Sequence, residues 1–133
     1  NYDLVGGLSL KGYNKKSLSG EWAFYISEKK NFIGLGASVE FLAIKYFFDF
    51  FKLRKLHCYV LNHNLEVIKL HRKFGFKETS FDNYFQNNTL TKHIFGAIYL
   101  SLEKNNWKNI SKLIYQRYFF INEKKTVINK KDH

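Results

Sequence analysis

Proline and methionine are both absent from this 133-residue chain, and cysteine occurs once. Without proline the commonest marker of interdomain linkers is missing, and no internal repeat or low-complexity block precedes the lysine-rich end. The single thiol, Cys58, excludes an intramolecular disulfide and reads as a small core hydrophobe. His57 adjoins it, but neither these two nor His63, His71, His93 and His133 form a pair at zinc-like spacing, so no metal is expected. No run of about 18 apolar residues occurs, which leaves no candidate for a membrane-crossing helix, and a membrane is not the expected partner. The stretch from Val39 to Phe51 comes nearest and is interrupted by Glu40, Lys45 and Asp49. Asn1-Tyr2-Asp3 lacks the charged-then-apolar pattern of a secretory leader, which makes the cytoplasm the default expectation. Because Asn1 cannot initiate translation, a preceding segment is expected.

What is present is apolar, aromatic and basic. With 45% apolar residues the chain suits one domain, long enough to bury roughly two-thirds of its unfolded surface. The formal net charge of +11 attracts polyanions from a distance, so nucleic acid, acidic membrane and phosphorylated small molecules all enter as candidates. Much of the excess lies in Lys124, Lys125, Lys130 and Lys131, where a solvated basic tail is the simpler explanation. Abundant aromatics fit nucleic acid too, but no helix-turn-helix, ribonucleoprotein or zinc signature accompanies them, so nucleic acid is not the expected partner.

Along the chain, Tyr2 to Tyr13 reads as a strand, with a bulge or close backbone approach at Gly6-Gly7. A turn over Asn14 to Ser19 leads to a second strand, Glu21 to Ile26, with Trp22, Phe24 and Ile26 on one face and Glu21, Ala23 and Tyr25 on the other. Asn31-Phe32-Ile33-Gly34-Leu35-Gly36-Ala37-Ser38 then forms a glycine-punctuated turn opening a helix, a place where unpaired N–H groups suit an anion. In that helix the polar positions Ser38, Lys45, Asp49 and Lys52 leave Val39, Leu42, Ala43, Tyr46, Phe47 and Phe50 for the core. Lys55 to Leu61 is strand-like, and Asn62-His63-Asn64 offers an N-cap to a helix carrying Val67, Leu70 and Phe74, ended by Gly75. A last strand spans His93 to Leu102. The fold class expected is α+β, a mixed α/β arrangement in which a twisted mixed sheet is flanked by helices.

Two of these motifs, in order, resemble the GCN5-related N-acetyltransferase superfamily, over roughly Leu4 to Trp107. The coenzyme loop of that family has the form Gln/Arg-x-x-Gly-x-Gly/Ala; Asn31 to Gly36 fills the frame with asparagine at its first position. The second and more specific motif is Asn-x-x-Ala-x-x-Leu-Tyr/His-x-Lys-x-Gly-Phe, matched here by Asn64-Leu65-Glu66-Val67-Ile68-Lys69-Leu70-His71-Arg72-Lys73-Phe74-Gly75-Phe76. Within the superfamily the chain looks most like the amino-sugar N-acetyltransferases of flagellin glycosylation, which act on a UDP-linked 4-amino sugar on the route to pseudaminic acid. That likeness rests on Gly7-Leu8-Ser9-Leu10, Gly20-Glu21-Trp22-Ala23-Phe24-Tyr25-Ile26, Leu70 to Phe76 and Leu102-Glu103-Lys104-Asn105-Asn106-Trp107. Ribosomal-protein alanine acetyltransferases are similar enough to stand second.

The resemblance implies an acetyl-coenzyme-A-dependent enzyme that acetylates a primary amine, with a nucleotide sugar as acceptor and no metal. A protein N-terminus remains the alternative acceptor, and a catalytically silent coenzyme-binding fragment the alternative role. It further implies that a strand and helices walling the acceptor site lie before Asn1. Residues 1–107 would form an amino-terminally incomplete acetyltransferase domain and 108–133 a basic extension, a helix followed by a flexible tail. A homodimer is compatible with the sequence. Coenzyme-binding residues by resemblance are Phe24, Tyr25 and Ile26 along the pantetheine arm, Asn31, Ile33, Gly34, Leu35, Gly36 and Ala37 around the pyrophosphate, and Asn64 at the arm. A plain helix cap remains the alternative role for Asn64. His71 occupies the place where relatives carry a tyrosine that protonates the leaving thiolate, and Glu21 could take the proton of the amine. For both, a structural role stands beside the catalytic one.

Overall fold

The computed structural model describes residues 6–26, 35–87 and 93–117. Its first two strands, β1 (Gly6–Asn14) and β2 (Ser19–Ile26), form a hairpin. Asn14 closes the turn by accepting hydrogen bonds through Oδ1 from the amides of Lys16 (2.9 Å) and Ser17 (3.1 Å), the local bonding that makes asparagine a turn former. Gly6 and Gly7 lie in regular register opposite Ile26 and Tyr25; the ladder shifts instead between Lys11 and Asn14. The bulge expected at Gly6-Gly7 therefore falls near Gly12, whose φ of 61° is the left-handed conformation that glycine adopts without a Cβ penalty.

Helix α1 (Leu35–Asp49) crosses over to β3 (Lys55–Leu61), which lies parallel to β2. Parallel neighbours need such a crossover, and a helix packed on the sheet supplies it. Then come α2 (Leu65–Lys73), β4 (Lys77–Thr79), α3 (Phe81–Asn87), β5 (Ala97–Glu103) and α4 (Lys104–Tyr115). The sheet order is β1-β2-β3-β5-β4, with β5 antiparallel to both β3 and β4. This is the mixed, helix-flanked sheet that the sequence pattern implies.

The short β4 and α3 have no counterpart in the pattern reading. Three residues of strand are too few to show alternation, and α3 is announced only by Ser80, whose Oγ accepts from the Asn83 amide at 3.3 Å. The last strand starts at Ala97 rather than His93, because Gly96 (φ 78°) turns the chain just before it.

The core-facing side of α1 differs in part from expectation. Ala43 and Phe47 are buried as expected, but Leu42, Tyr46 and Phe50 are 64%, 46% and 68% exposed, while Glu40, Ile44 and Phe48 are buried. The helix is apolar almost all the way round, so spacing alone permits two stripes. The polar positions Ser38, Lys45, Asp49 and Lys52 do not include Glu40, and its carboxyl is taken inside by a partner on α2.

Strand alternation divides the interior in two. Leu56, Cys58 and Val60 of β3, Leu100 and Leu102 of β5 and Trp22 of β2 join the large cluster under α1, α2 and α4. His57, Tyr59 and Tyr99 point to the other side, where Tyr84 of α3 packs against His57 and Tyr99 at ring separations of 5.3 and 4.8 Å. Helix α4 runs across residue 107 and anchors itself through buried Trp107 and Ile114. Among the described residues no helix is long and apolar enough to cross a membrane.

Candidate active site

β2 and β3 begin side by side and then part. Their parallel ladder holds Ser19↔Lys55, Gly20↔Leu56 and Glu21↔His57 and has no further partner among the described residues. Beyond that point β2 continues on β1, with Ala23 opposite Ser9 and Phe24 opposite Leu8. β3 continues on β5, with Val60 opposite Ile98 and Leu61 opposite Ala97. Each strand thus keeps its outer neighbour while the two inner edges diverge. Between them lies a cleft of about 220 Å³, lined by Trp22, Phe24, Tyr59, Val60, Asn64 and His71 among others. An extended arm carrying amide groups could pair with those edges as an added strand would.

His71 sits in the wall of this cleft and is only 4% exposed. Its position is fixed from both sides of α2. At the carboxyl end the chain closes with the Phe76 amide donating to the His71 carbonyl (3.1 Å) and the Gly75 amide to that of Arg72 (3.0 Å). This is a Schellman arrangement, and it requires the left-handed φ of 99° at Gly75. The ring itself is packed by Trp22 and Phe76, both with centroids at 5.4 Å, and by Phe24 at 6.1 Å. Its Nδ1 is hydrogen-bonded to Oε1 of Glu40, the fully buried carboxyl on α1. Burial pushes the Glu40 pKa up, and the hydrogen bond and charge of His71 oppose that shift.

The opposite face carries a second acidic and basic pair. Glu21, at the last rung before the strands part, is 9% exposed and lies in register with His57, which is 1% exposed. Neither ring nitrogen of His57 has a hydrogen-bond partner among the described residues. Burial, and then the nearby charge of Lys55, lower its pKa to about 4, so the ring is neutral at physiological pH. Tyr84 stands over it; burial, the Glu21 charge and a hydrogen bond with Glu21 all hold its phenol protonated. Cys58, on the α1 face, is likewise held as a thiol by burial and by the charges of Glu40 and Glu21, which removes it as a nucleophile.

The expected site residues are thus partly gathered. His71, Phe24 and Asn64 meet at the cleft. Glu21 stands at its apex but on the opposite face of β2 from Trp22 and Phe24, and so from His71. Asn64 occupies the cap position of α2 without making a side-chain capping bond, so its amide is not consumed by the helix. Tyr25 and Ile26 belong to the free-edged part of β2, and Leu35, Gly36 and Ala37 form the first turn of α1. Asn31, Ile33 and Gly34 lie outside the described residues. Glu40, His57 and Tyr84 escape sequence reasoning. A signal for Glu40 exists, a carboxylate inside an apolar helical stretch, but nothing marks which residue will pair with it.

No protein-family model and no curated protein sequence matches the chain. Solved structures do. A mutant form of the spermidine/spermine N-acetyltransferase SpeG from Vibrio cholerae superposes with a TM-score of 0.67 at 20% identity, over 82% of this chain and 62% of that one. The dodecameric structure of the same enzyme gives 0.66 at 20% identity, over 82% and 63%. The Campylobacter jejuni N-acetyltransferase PseH gives 0.57 at 22% identity, over 75% and 60%. The chain therefore spans about three-fifths of the length of these neighbours. At such identities what is shared is architecture: the strands that part around the cleft belong to a mixed, helix-flanked sheet common to this chain and these N-acetyltransferases.

Proposed function

We propose that this chain is an acetyl-coenzyme-A-dependent N-acetyltransferase acting on a primary amine, the 4-amino group of a UDP-linked amino sugar. The observation that carries the reading is the parting of β2 and β3 after Glu21↔His57, which leaves two strand edges without a partner among the described residues, facing across a cleft walled by His71 and Asn64. Those edges fit a pantetheine arm, whose amides pair as a strand's would. The residues that would hold it are Phe24, Tyr25 and Ile26 on one side and Asn64 on the other. The Asn31–Ala37 loop, with Ile33, Gly34, Leu35 and Gly36, would receive the pyrophosphate at the start of α1, where helix N–H groups favour an anion. Bound there, the coenzyme supplies an activated acetyl group.

The chain's own residues then divide the proton traffic. Glu21, on the other face of β2 at the apex of the cleft, takes through water the proton that the attacking amine must lose, and His71 gives one to the departing sulfur. Each such step contributes on the order of 10²–10⁴-fold, and holding the two reactants together contributes several kcal/mol more.

Several of the structural neighbours are forms of a spermidine N-acetyltransferase, and a polyamine is therefore the competing acceptor. Charge favours the nucleotide sugar. A chain of net charge +11 attracts the pyrophosphate of a UDP sugar and repels a polycation. The deciding experiment is thiol release from acetyl-coenzyme A with a UDP-4-amino sugar, spermidine or an alanine-initiated peptide as acceptor. Preference for spermidine or for the peptide would overturn the sugar assignment. Absence of any thermal stabilisation by acetyl-coenzyme A at near-millimolar concentration would overturn the donor assignment.

A further inference from the structure

Whether His71 can hand over a proton depends on how many protons it holds together with the carboxyl bonded to its other nitrogen. We propose that Glu40 is a positioning residue that supplies the second proton of a neutral carboxyl–imidazole pair and thereby keeps a transferable proton on His71 Nε2. This rests on the acetyl-transfer reading above.

The geometry commits one ring nitrogen and leaves the other. Nδ1 is bonded to Glu40 Oε1, across the α1–α2 packing and 31 residues apart in sequence. Only Nε2 remains to address a ligand in the cleft. Around the pair the packing is aromatic, from Trp22, Phe24 and Phe76. The thiol of Cys58 on β3 is held protonated, above all by burial. Glu40 Oε2 has no hydrogen-bond partner among the described residues, so the carboxyl is not there to serve a wider polar network.

In such surroundings a pair with no net charge costs least. Neutrality fixes the proton count at two. One proton lies between Oε1 and Nδ1, on whichever atom holds it, and the other is on Nε2. When the Nε2–H bond breaks and S–H forms, the electron pair of the C–S bond stays on sulfur, and the ring keeps Nδ1–H against the Glu40 carboxylate. The proton lost by the acetylated amine passes through Glu21 to water, and the pair regains its Nε2 proton from water once the thiol has left, so the cycle closes. An amide at position 40 changes the count. The neutral pair then holds one ring proton, and either Nε2 is bare or its loss would leave an imidazolate. Glutamine therefore preserves the shape of the site and removes its proton.

The test combines kinetics with a readout that needs no turnover. Glu40→Gln should lower kcat for thiol release by about 10²-fold, with the KM for acetyl-coenzyme A changed less than about threefold. Adding His71→Phe should cost no more than about threefold further, because the two act as one unit. Wild-type kcat in Glu40→Gln, beside an active wild type, overturns the proposal and leaves the transfer reading standing. In nitrogen-15 imidazole spectra at neutral pH, the wild type should show an Nε2–H correlation for His71 and a strongly deshielded proton at Nδ1, the latter lost in Glu40→Gln. Absence of either wild-type signal overturns the proposal even if no acceptor is turned over, and absence of turnover with every acceptor overturns the transfer reading alone. Should Glu40→Gln fail to fold, the wild-type spectrum remains the deciding measurement.

Discussion

The two faces of the sheet at the fork of β2 and β3 carry the same residue types and treat them differently. On the α1 side Glu40 and His71 are both buried and bonded to each other. On the α3 side Glu21 and His57 share a rung of the ladder, yet both ring nitrogens of His57 lack hydrogen-bond partners among the described residues, and burial holds the ring neutral. One histidine has a bonded partner inside the protein, the other has none among the described residues and is held neutral. Pairing, not burial, separates the two imidazoles.

The largest effect should come from breaking the bonded pair. Glu40→Ala leaves the buried His71 ring without its partner and opens a void beneath α1. Loss of one partner of such a pair costs about 3–5 kcal/mol, so urea unfolding should show a fall of that size, with Glu40→Gln losing less. A fall in Glu40→Ala no larger than that of an exposed substitution such as Glu66→Ala would dissolve the contrast between the faces.

The inert face has its own signature in pH. His57 has a folded pKa of about 4 against an ordinary value of 6.5, so between these values the unfolded chain binds the extra proton. Its contribution to stability is complete above about pH 6.5 and is lost as pH falls through about 4. The whole interval is worth at most roughly 3 kcal/mol. Glu40 works in the opposite sense: its raised pKa means that stability present below the ordinary 4.5 is lost as pH rises through the raised value. His57→Phe keeps a ring against Tyr84 and removes the titrating group. It should flatten the acid limb of the stability profile, and an unchanged limb would place its origin elsewhere.

How much of this could be read in the sequence differs between backbone and side chains. The hairpin, the crossover helix, β3, α2 and the Gly75 stop announce themselves through alternation, helical spacing and glycine, all local signals. β3 is found at Lys55–Leu61 as expected. The α1 face is missed because a nearly all-apolar helix has no unique stripe, and Glu40 faces inward only because His71, 31 residues later, waits for it. His57 and Tyr84 are missed for the same reason: an adjacent cysteine and histidine, and a tyrosine in a polar segment, gain meaning only when the sheet folds over them.

Gly75 aims the bonded histidine from one end of α2, and a moderate effect is expected there. A Cβ at this position would run into the Ile110 side chain and would also sit at φ 99°. Gly75→Ala should therefore cost about 1–3 kcal/mol, accompanied by a drop in turnover as the His71 carbonyl loses its fixed donors. A variant with unchanged melting temperature would show that the left-handed stop is not what holds the ring in place.

Asn64, at the other end of α2, should give the smallest change in stability and the clearest separation of stability from binding. A working N-cap replaced by alanine typically costs about 1 kcal/mol. The Asn64 side chain makes no such bond, so Asn64→Ala should melt within a degree or two of the wild type. If its amide instead meets the coenzyme arm in the cleft, the KM for acetyl-coenzyme A should rise about 3–10-fold, the loss of roughly one hydrogen bond, while kcat stays near the wild-type value. That pattern is the reverse of the one expected for Glu40→Gln. A drop in melting temperature with unchanged KM would return Asn64 to the helix as its cap, and would leave the cleft held by strand edges and aromatic rings alone.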